Sequence, residues 1–108
     1  MEEYVVVGTS KAALEALVRY LGVELRPENI RVNAVSPGMV LTEALEHFAT
    51  FRDGGRALIE ETQMRTPAGR LCRPEDVAEV VAFLCTPQAE MICGQTIIVD
   101  GGYSLKAR

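Results

Sequence analysis

Two side chains near the start of the sequence could do chemistry together: the phenol of Tyr4 and the ammonium of Lys11, with six residues between them. On an α-helix of about 3.6 residues per turn, positions seven apart differ in direction by about 20°, so both can face one side with their backbones two turns apart. A phenol has an ordinary pKa of about 10, and a cation held nearby lowers it. Taken alone, a tyrosine near a chain start and a lysine on a helix are also commonplace surface residues, so the pair must be judged by what surrounds it. The other candidates are weaker. His47 is the sole histidine and reads as a solvated residue rather than a proton carrier. Cys72, Cys85 and Cys93 are odd in number and lack CxxC spacing, which disfavours disulfides and zinc and leaves buried structural thiols as the expectation.

The elements that must position these groups follow from periodicity. Leu14, Leu17, Val18, Leu21 and Leu25 recur at three- and four-residue steps and predict an amphipathic helix over Ser10–Leu25, ended by Pro27. The β-branched Val5-Val6-Val7 and Gly8 disfavour extending that helix back to Tyr4. The phenol could therefore reach Lys11 either from a helix or from an extended segment beside its start. Ile30–Ser36, bounded by Pro27 and by Pro37-Gly38, predicts a largely buried strand. Short helices are expected at Thr42–Phe48 and Arg56–Met64 on either side of Gly54-Gly55, together forming a mobile lid. Pro74, Glu75 and Asp76 suit the first turn of a helix whose Val77, Val80, Val81 and Leu84 face a core and which ends near Thr86-Pro87. Thr96–Val99 reads as a strand buried on both faces. Two strands joined by a long helical crossover imply parallel neighbours and an α/β unit.

Composition sets wide bounds on function. The 108 residues are 48% hydrophobic and 24% charged, ordinary values for one globular domain or part of one. A formal charge of −4, with no clustered Lys and Arg, disfavours nucleic-acid binding. No apolar run approaches the roughly 20 residues of a membrane helix, and MEEYVVV lacks the basic lead of a signal peptide, so a cytoplasmic protein is expected.

Four segments, YVVVGTSKAALEALVRYLGVEL, IRVNAVSPGMVLT, TPAGRLCRPEDVAEVVAFL and ICGQTIIVDGG, resemble in order the C-terminal signatures of the short-chain dehydrogenase/reductase family and cover nearly the whole chain. Most of that family places tyrosine four residues before lysine, and here that position is Val7. The spacing of Tyr4 and Lys11 instead resembles the enoyl-acyl-carrier-protein reductases, most closely their third, NADPH-using bacterial type. Ser36-Pro37-Gly38 points the other way, being similar to the turn of ketone and alcohol reductases. The resemblance implies the C-terminal part of a Rossmann-type doubly wound parallel sheet without the N-terminal half that binds most of a dinucleotide. It divides the single partial domain, residues 1–108, into an active-site segment at 4–38, a substrate lid at 39–66, and a last helix and strand at 67–108. No Gly-rich turn joins a strand to a helix, so a truncated reading frame is expected, its intact parent being the enzyme.

The same resemblance implies residue roles. Tyr4 and Lys11 would be catalytic and would also touch the cofactor. Lys11 would bind the nicotinamide ribose and hold positive charge near Tyr4, which would donate a hydrogen bond to the thioester oxygen as hydride reaches the β-carbon. Pro37 and Gly38 would sit at the carboxyl edge of the sheet, where ligands bind in open α/β folds and glycine lets backbone approach a cofactor. Val40 would contact the nicotinamide amide through its main chain, and Thr42 would offer its hydroxyl to the amide or pyrophosphate, cap a helix, or both. Leu45, Phe48, Phe51 and Leu58 are candidates for an acyl chain, with plain helix packing as the alternative for each. No metal is implied, and Asp100-Gly101-Gly102 would serve turning and subunit packing. The implied cofactor is NADPH, with NADH possible, and the implied substrate an acyl-carrier-protein or CoA thioester. A dimer or tetramer, or association with a full-length relative, is also implied. The competing readings are a 3-oxoacyl or other ketone reductase and a non-catalytic oligomerisation module.

Overall fold

The computed structural model describes residues 2–106, beginning with α1 (Glu2–Glu24), one unbroken helix of 23 residues. The extended approach left open for Tyr4 is thereby excluded. Valine costs only tenths of a kcal/mol in a helix and one glycine about 1 kcal/mol, while the Lys11–Tyr20 run is rich in good helix formers. Extending an existing helix is also far easier than starting one. A 3₁₀ turn at Arg26–Glu28 follows, with Pro27 inside it. The remaining elements are β1 (Ala34–Pro37), α2 (Glu43–Phe51), α3 (Gly55–Arg65), α4 (Pro74–Leu84), a 3₁₀ turn at Pro87–Ala89, β2 (Thr96–Val99) and α5 (Tyr103–Lys106).

β1 and β2 form a two-stranded sheet. The Ala34 N–H donates to Gln95 O at 2.8 Å and the Gly38 N–H to Val99 O at 3.1 Å, so the register advances in step, as parallel strands require. β2 matches its expected span, whereas β1 starts at Ala34 rather than Ile30. The cause is Asn33, whose side-chain amide donates to Ile92 O (3.0 Å) and accepts from the Gln95 N–H (3.0 Å), taking places a ladder would fill. Nor is β2 buried on both faces. Ile98 is 61% exposed and its neighbours are half-buried, because two strands offer two wide faces and little among the described residues covers that of Ile98.

The chain divides into two compact units, one of residues 1–34 with 82–97 and one of residues 35–81 with 98–108. In the first, Val18 and Ala89 are buried, and Gly22 lies against Gly94 so closely that a Cβ on Gly22 would stand 3.0 Å from the Gly94 Cα. The Cys93 thiol donates to Gly22 O at 3.1 Å. Of the expected α1 stripe, Leu21 and Leu25 are half-buried, but Leu14 and Leu17 are each about half exposed.

In the second unit, α2 and α3 pack as a hairpin around a cluster of Ala49, Ile59 and Leu71, with Met39 and Leu45 partly buried against it. Gly55 begins α3 where a Cβ would fall 2.6 Å from Phe48 O, so only glycine permits that tight return. The Asp100 carboxylate accepts the Gly102 N–H (2.9 Å) and the Ser104 N–H (3.0 Å), turning the chain into α5. The thiol expectation holds unevenly: Cys72 is buried and Cys93 half-buried, but Cys85, just past the end of α4, is exposed. Val81 of the expected α4 stripe is likewise exposed, and Val77, Val80 and Leu84 are half-buried, none fully.

Candidate active site

Tyr4 and Lys11 lie on α1 in the first unit, both exposed, and the helical spacing of seven directs them to one side. Gly8 stands between them. The Tyr4 ring lies along the helix beside it, with its Cε1 3.8 Å from where a Gly8 Cβ would be. One edge of the Tyr4 ring thus flanks Gly8, in the turn between Tyr4 and Lys11. The Ser10 hydroxyl donates to Val7 O at 2.8 Å, occupying itself locally.

The second group of candidates, Pro37 to Thr42, lies in the second unit. The main chain leaves β1 at Pro37, and Gly38 meets Asp100, whose Cβ would be 3.0 Å and whose Cα 3.3 Å from a Cβ on residue 38. The room that glycine provides is therefore taken by Asp100, the residue just after β2. Val40 forms an isolated parallel bridge with Cys72. In it the Cys72 N–H donates to Met39 O (3.1 Å) and the Leu41 N–H to Cys72 O (2.8 Å). In such a bridge the N–H and C=O of Val40 itself point away from the Cys72 segment. Neither is hydrogen-bonded to any described residue. A free donor and acceptor on one residue match a primary carboxamide, whose oxygen accepts and whose NH2 group donates.

Thr42 caps α2, its Oγ1 accepting the Leu45 N–H at 3.2 Å. This realises the capping alternative and leaves the hydroxyl hydrogen uncommitted. Among the acyl-chain candidates, Leu45 packs against the α2–α3 cluster, and Phe48 is half-buried with the Arg52 guanidinium 5.9 Å from its ring centre. Phe51 is 71% exposed, with the His47 ring 4.5 Å away, and Leu58 is 46% exposed. His47 is itself exposed. No group of three His, Cys, Asp or Glu side chains suited to a metal ion occurs among the described residues.

Sequence reasoning missed the ties that hold residues 70–76. The Arg70 guanidinium makes two hydrogen bonds to the Asp76 carboxylate, at 2.7 and 3.0 Å, and a third to Leu71 O at 3.0 Å. Asp76 also accepts the Arg73 N–H at 2.7 Å, closing the start of α4. The guanidinium first, and the Arg73 N–H second, hold the Asp76 carboxyl well below the usual carboxylate range. An acidic residue three positions into a helix was the available signal for the backbone bond; the arginine partner six positions back had none.

A family model described as enoyl-(acyl carrier protein) reductase matches residues 1–104. The chain belongs to the short-chain dehydrogenase/reductase family of oxidoreductases. It is similar to a tropinone reductase homolog of Arabidopsis thaliana, 39% identical over 93% of this chain and 37% of that one. It is also similar to the NADH-dependent enoyl-acyl-carrier-protein reductase of Bacillus subtilis, 35% identical over all of this chain and 40% of that one. A short-chain dehydrogenase family protein from Francisella tularensis superposes with a TM-score of 0.78 at 27% identity, over 90% of this chain and 42% of that one. The chain thus spans about two fifths of the length of the relatives it matches. Among the described residues, no helix is long and apolar enough to cross a membrane.

Proposed function

We propose that these residues form the active-site portion of an NADPH-dependent enoyl-acyl-carrier-protein reductase acting in the cytoplasm on acyl-carrier-protein or CoA thioesters. The observation that carries this reading is the pair Tyr4 and Lys11 at a spacing of seven on an unbroken helix, with Val7 standing four residues before the lysine. The family-model description and the Bacillus subtilis relative support the substrate class. That relative uses NADH, which keeps NADH as the alternative cofactor. Because the chain covers about two fifths of its relatives, the activity is assigned to a protein that joins these residues to a dinucleotide-binding half.

When bound, the nicotinamide would supply hydride to the β-carbon of the conjugated thioester. Lys11 would hold the ribose and keep positive charge on the side of α1 that carries Tyr4. Tyr4 donates a hydrogen bond to the thioester oxygen, where negative charge develops as the enolate forms, and this stabilises the transition state more than the ground state. The free N–H and C=O of Val40 would hold the carboxamide, with Pro37 and Gly38 at the same edge of the sheet, and the Thr42 hydroxyl hydrogen would be available to the amide or pyrophosphate while its oxygen keeps the helix cap. Leu45, Phe48, Phe51 and Leu58 on the α2–α3 hairpin line the acyl path. The exposed Val5, Val6, Tyr20 and Val23 of α1 serve a dimer or tetramer contact, or one with a full-length relative.

A second reading, reduction of a ketone or 3-oxoacyl thioester, is favoured by Ser36-Pro37-Gly38 and by the tropinone reductase homolog. Protein carrying this sequence is assayed for NADPH oxidation with crotonyl and with acetoacetyl thioesters. Consumption of the crotonyl thioester is expected, and turnover of the ketone alone selects the second reading. Co-purification with a full-length relative, with no dinucleotide bound by this chain, selects a non-catalytic oligomerisation module.

A further inference from the structure

Val40 can meet a carboxamide only if its peptide groups are held at a fixed angle, and the parallel bridge to Cys72 is what holds them. Cys72 in turn is fixed from two directions. Its thiol donates to Val99 O at 3.1 Å on the β2 side. On the other side, the segment from Arg70 to Arg73 is closed into a loop by Asp76, which takes two hydrogen bonds from the Arg70 guanidinium and one from the Arg73 N–H. The guanidinium adds a bond to Leu71 O, the carbonyl immediately before Cys72. Four hydrogen bonds therefore surround a run of four residues whose third member sets Val40. Single exposed ion pairs contribute little, but a two-pronged arginine–carboxylate pair embedded in a network is the exception, and its fork fixes direction as well as distance.

We propose that Arg70 and Asp76 are positioning residues for the nicotinamide: through Cys72 they set the orientation of the Val40 main chain, and so act on the cofactor's nicotinamide end. This rests on the proposed reading of Val40 as the carboxamide contact. On that reading the effect falls on the nicotinamide end of the dinucleotide and is selective for it. Neither residue touches the reacting atoms.

The test uses full-length protein with Arg70→Met, Asp76→Asn and the exchanged pair Arg70→Asp/Asp76→Arg, in two measurements. Amide hydrogen exchange is followed at Leu41 and Cys72, the two donors of the bridge, with α3 amides as the internal reference. Binding is measured for NADPH and for 2′-phospho-ADP-ribose, which lacks nicotinamide. Expected are exchange at Leu41 and Cys72 at least tenfold faster in both single variants, with α3 unchanged. NADPH binding should weaken about tenfold, binding of the nicotinamide-free fragment should stay within twofold, and the exchanged pair should recover part of both losses. Unchanged exchange at Leu41 and Cys72, equal weakening of both ligands, or wild type binding the two ligands equally well overturns the proposal. Wild type that prefers NADPH yet reduces no enoyl thioester overturns the enoyl-reductase reading and leaves the positioning role standing.

Discussion

At the scale of single residues, spacing carried the most information. The seven-residue step from Tyr4 to Lys11 is chain order and was legible, as was the acidic start of α4, but the sequence left open whether one helix carries both residues. Close approaches were not, since they depend on partners distant in sequence. Gly55 looks like any loop glycine until Phe48 O is placed 2.6 Å from its absent Cβ. Gly55→Ala is expected to destabilise the fold by about 1–3 kcal/mol, as overpacked sites do, in chemical denaturation. Gly8→Ala is the opposite case. Its Cβ would find Tyr4 at 3.8 Å, an ordinary contact, so relief of a mid-helix glycine should stabilise by about 1 kcal/mol without displacing the phenol. Asp76 gives a pH signature. Its carboxyl is depressed by Arg70 and by the Arg73 N–H, so its contribution is present above the unfolded value of about 3.9 and is lost as pH falls toward the folded one. Asp76→Asn should therefore lower Tm at pH 7, with the gap narrowing steadily below about pH 4. A gap that stays constant down to pH 3 would show that the ion pair contributes nothing.

At the scale of elements, types and order were readable because apolar periodicity and Pro/Gly punctuation act locally. Ends were less so. α1 extends back through Val5–Gly8 because elongation outweighs a few weak local preferences, and this brings Tyr4 onto the same helix as Lys11. β1 is shorter than its β-branched run because Asn33 uses its side chain where strand bonds would continue. Burial was overestimated wherever an apolar stripe was assumed to find a partner, as Leu14, Val81 and Ile98 show. α2 depends on its cap. Thr42→Ala should cost about 0.5–2 kcal/mol in thermal or chemical unfolding, while Thr42→Ser, which keeps the accepting oxygen, should stay near wild type. Equal losses in both variants would mean that the methyl group, not the cap, matters.

At the scale of the whole molecule, four family segments in order define the class, and the model match over residues 1–104 agrees with them. The substrate is less sharply written, because one spacing favours enoyl thioesters and one turn favours ketones. Relatives of both kinds appear at similar identity over about two fifths of their length. The central claim is that Tyr4 stabilises the enolate formed when hydride reaches the β-carbon. The most direct measurement supplies NADPH deuterated at the transferable position, together with a crotonyl thioester, to the protein containing this chain, and follows the product by mass spectrometry for wild type and Tyr4→Phe. The account requires butyryl thioester carrying deuterium at its β-carbon, formed about 10²–10³-fold more slowly by the variant. Label absent from that carbon, or equal rates with and without the phenol hydroxyl, would contradict it.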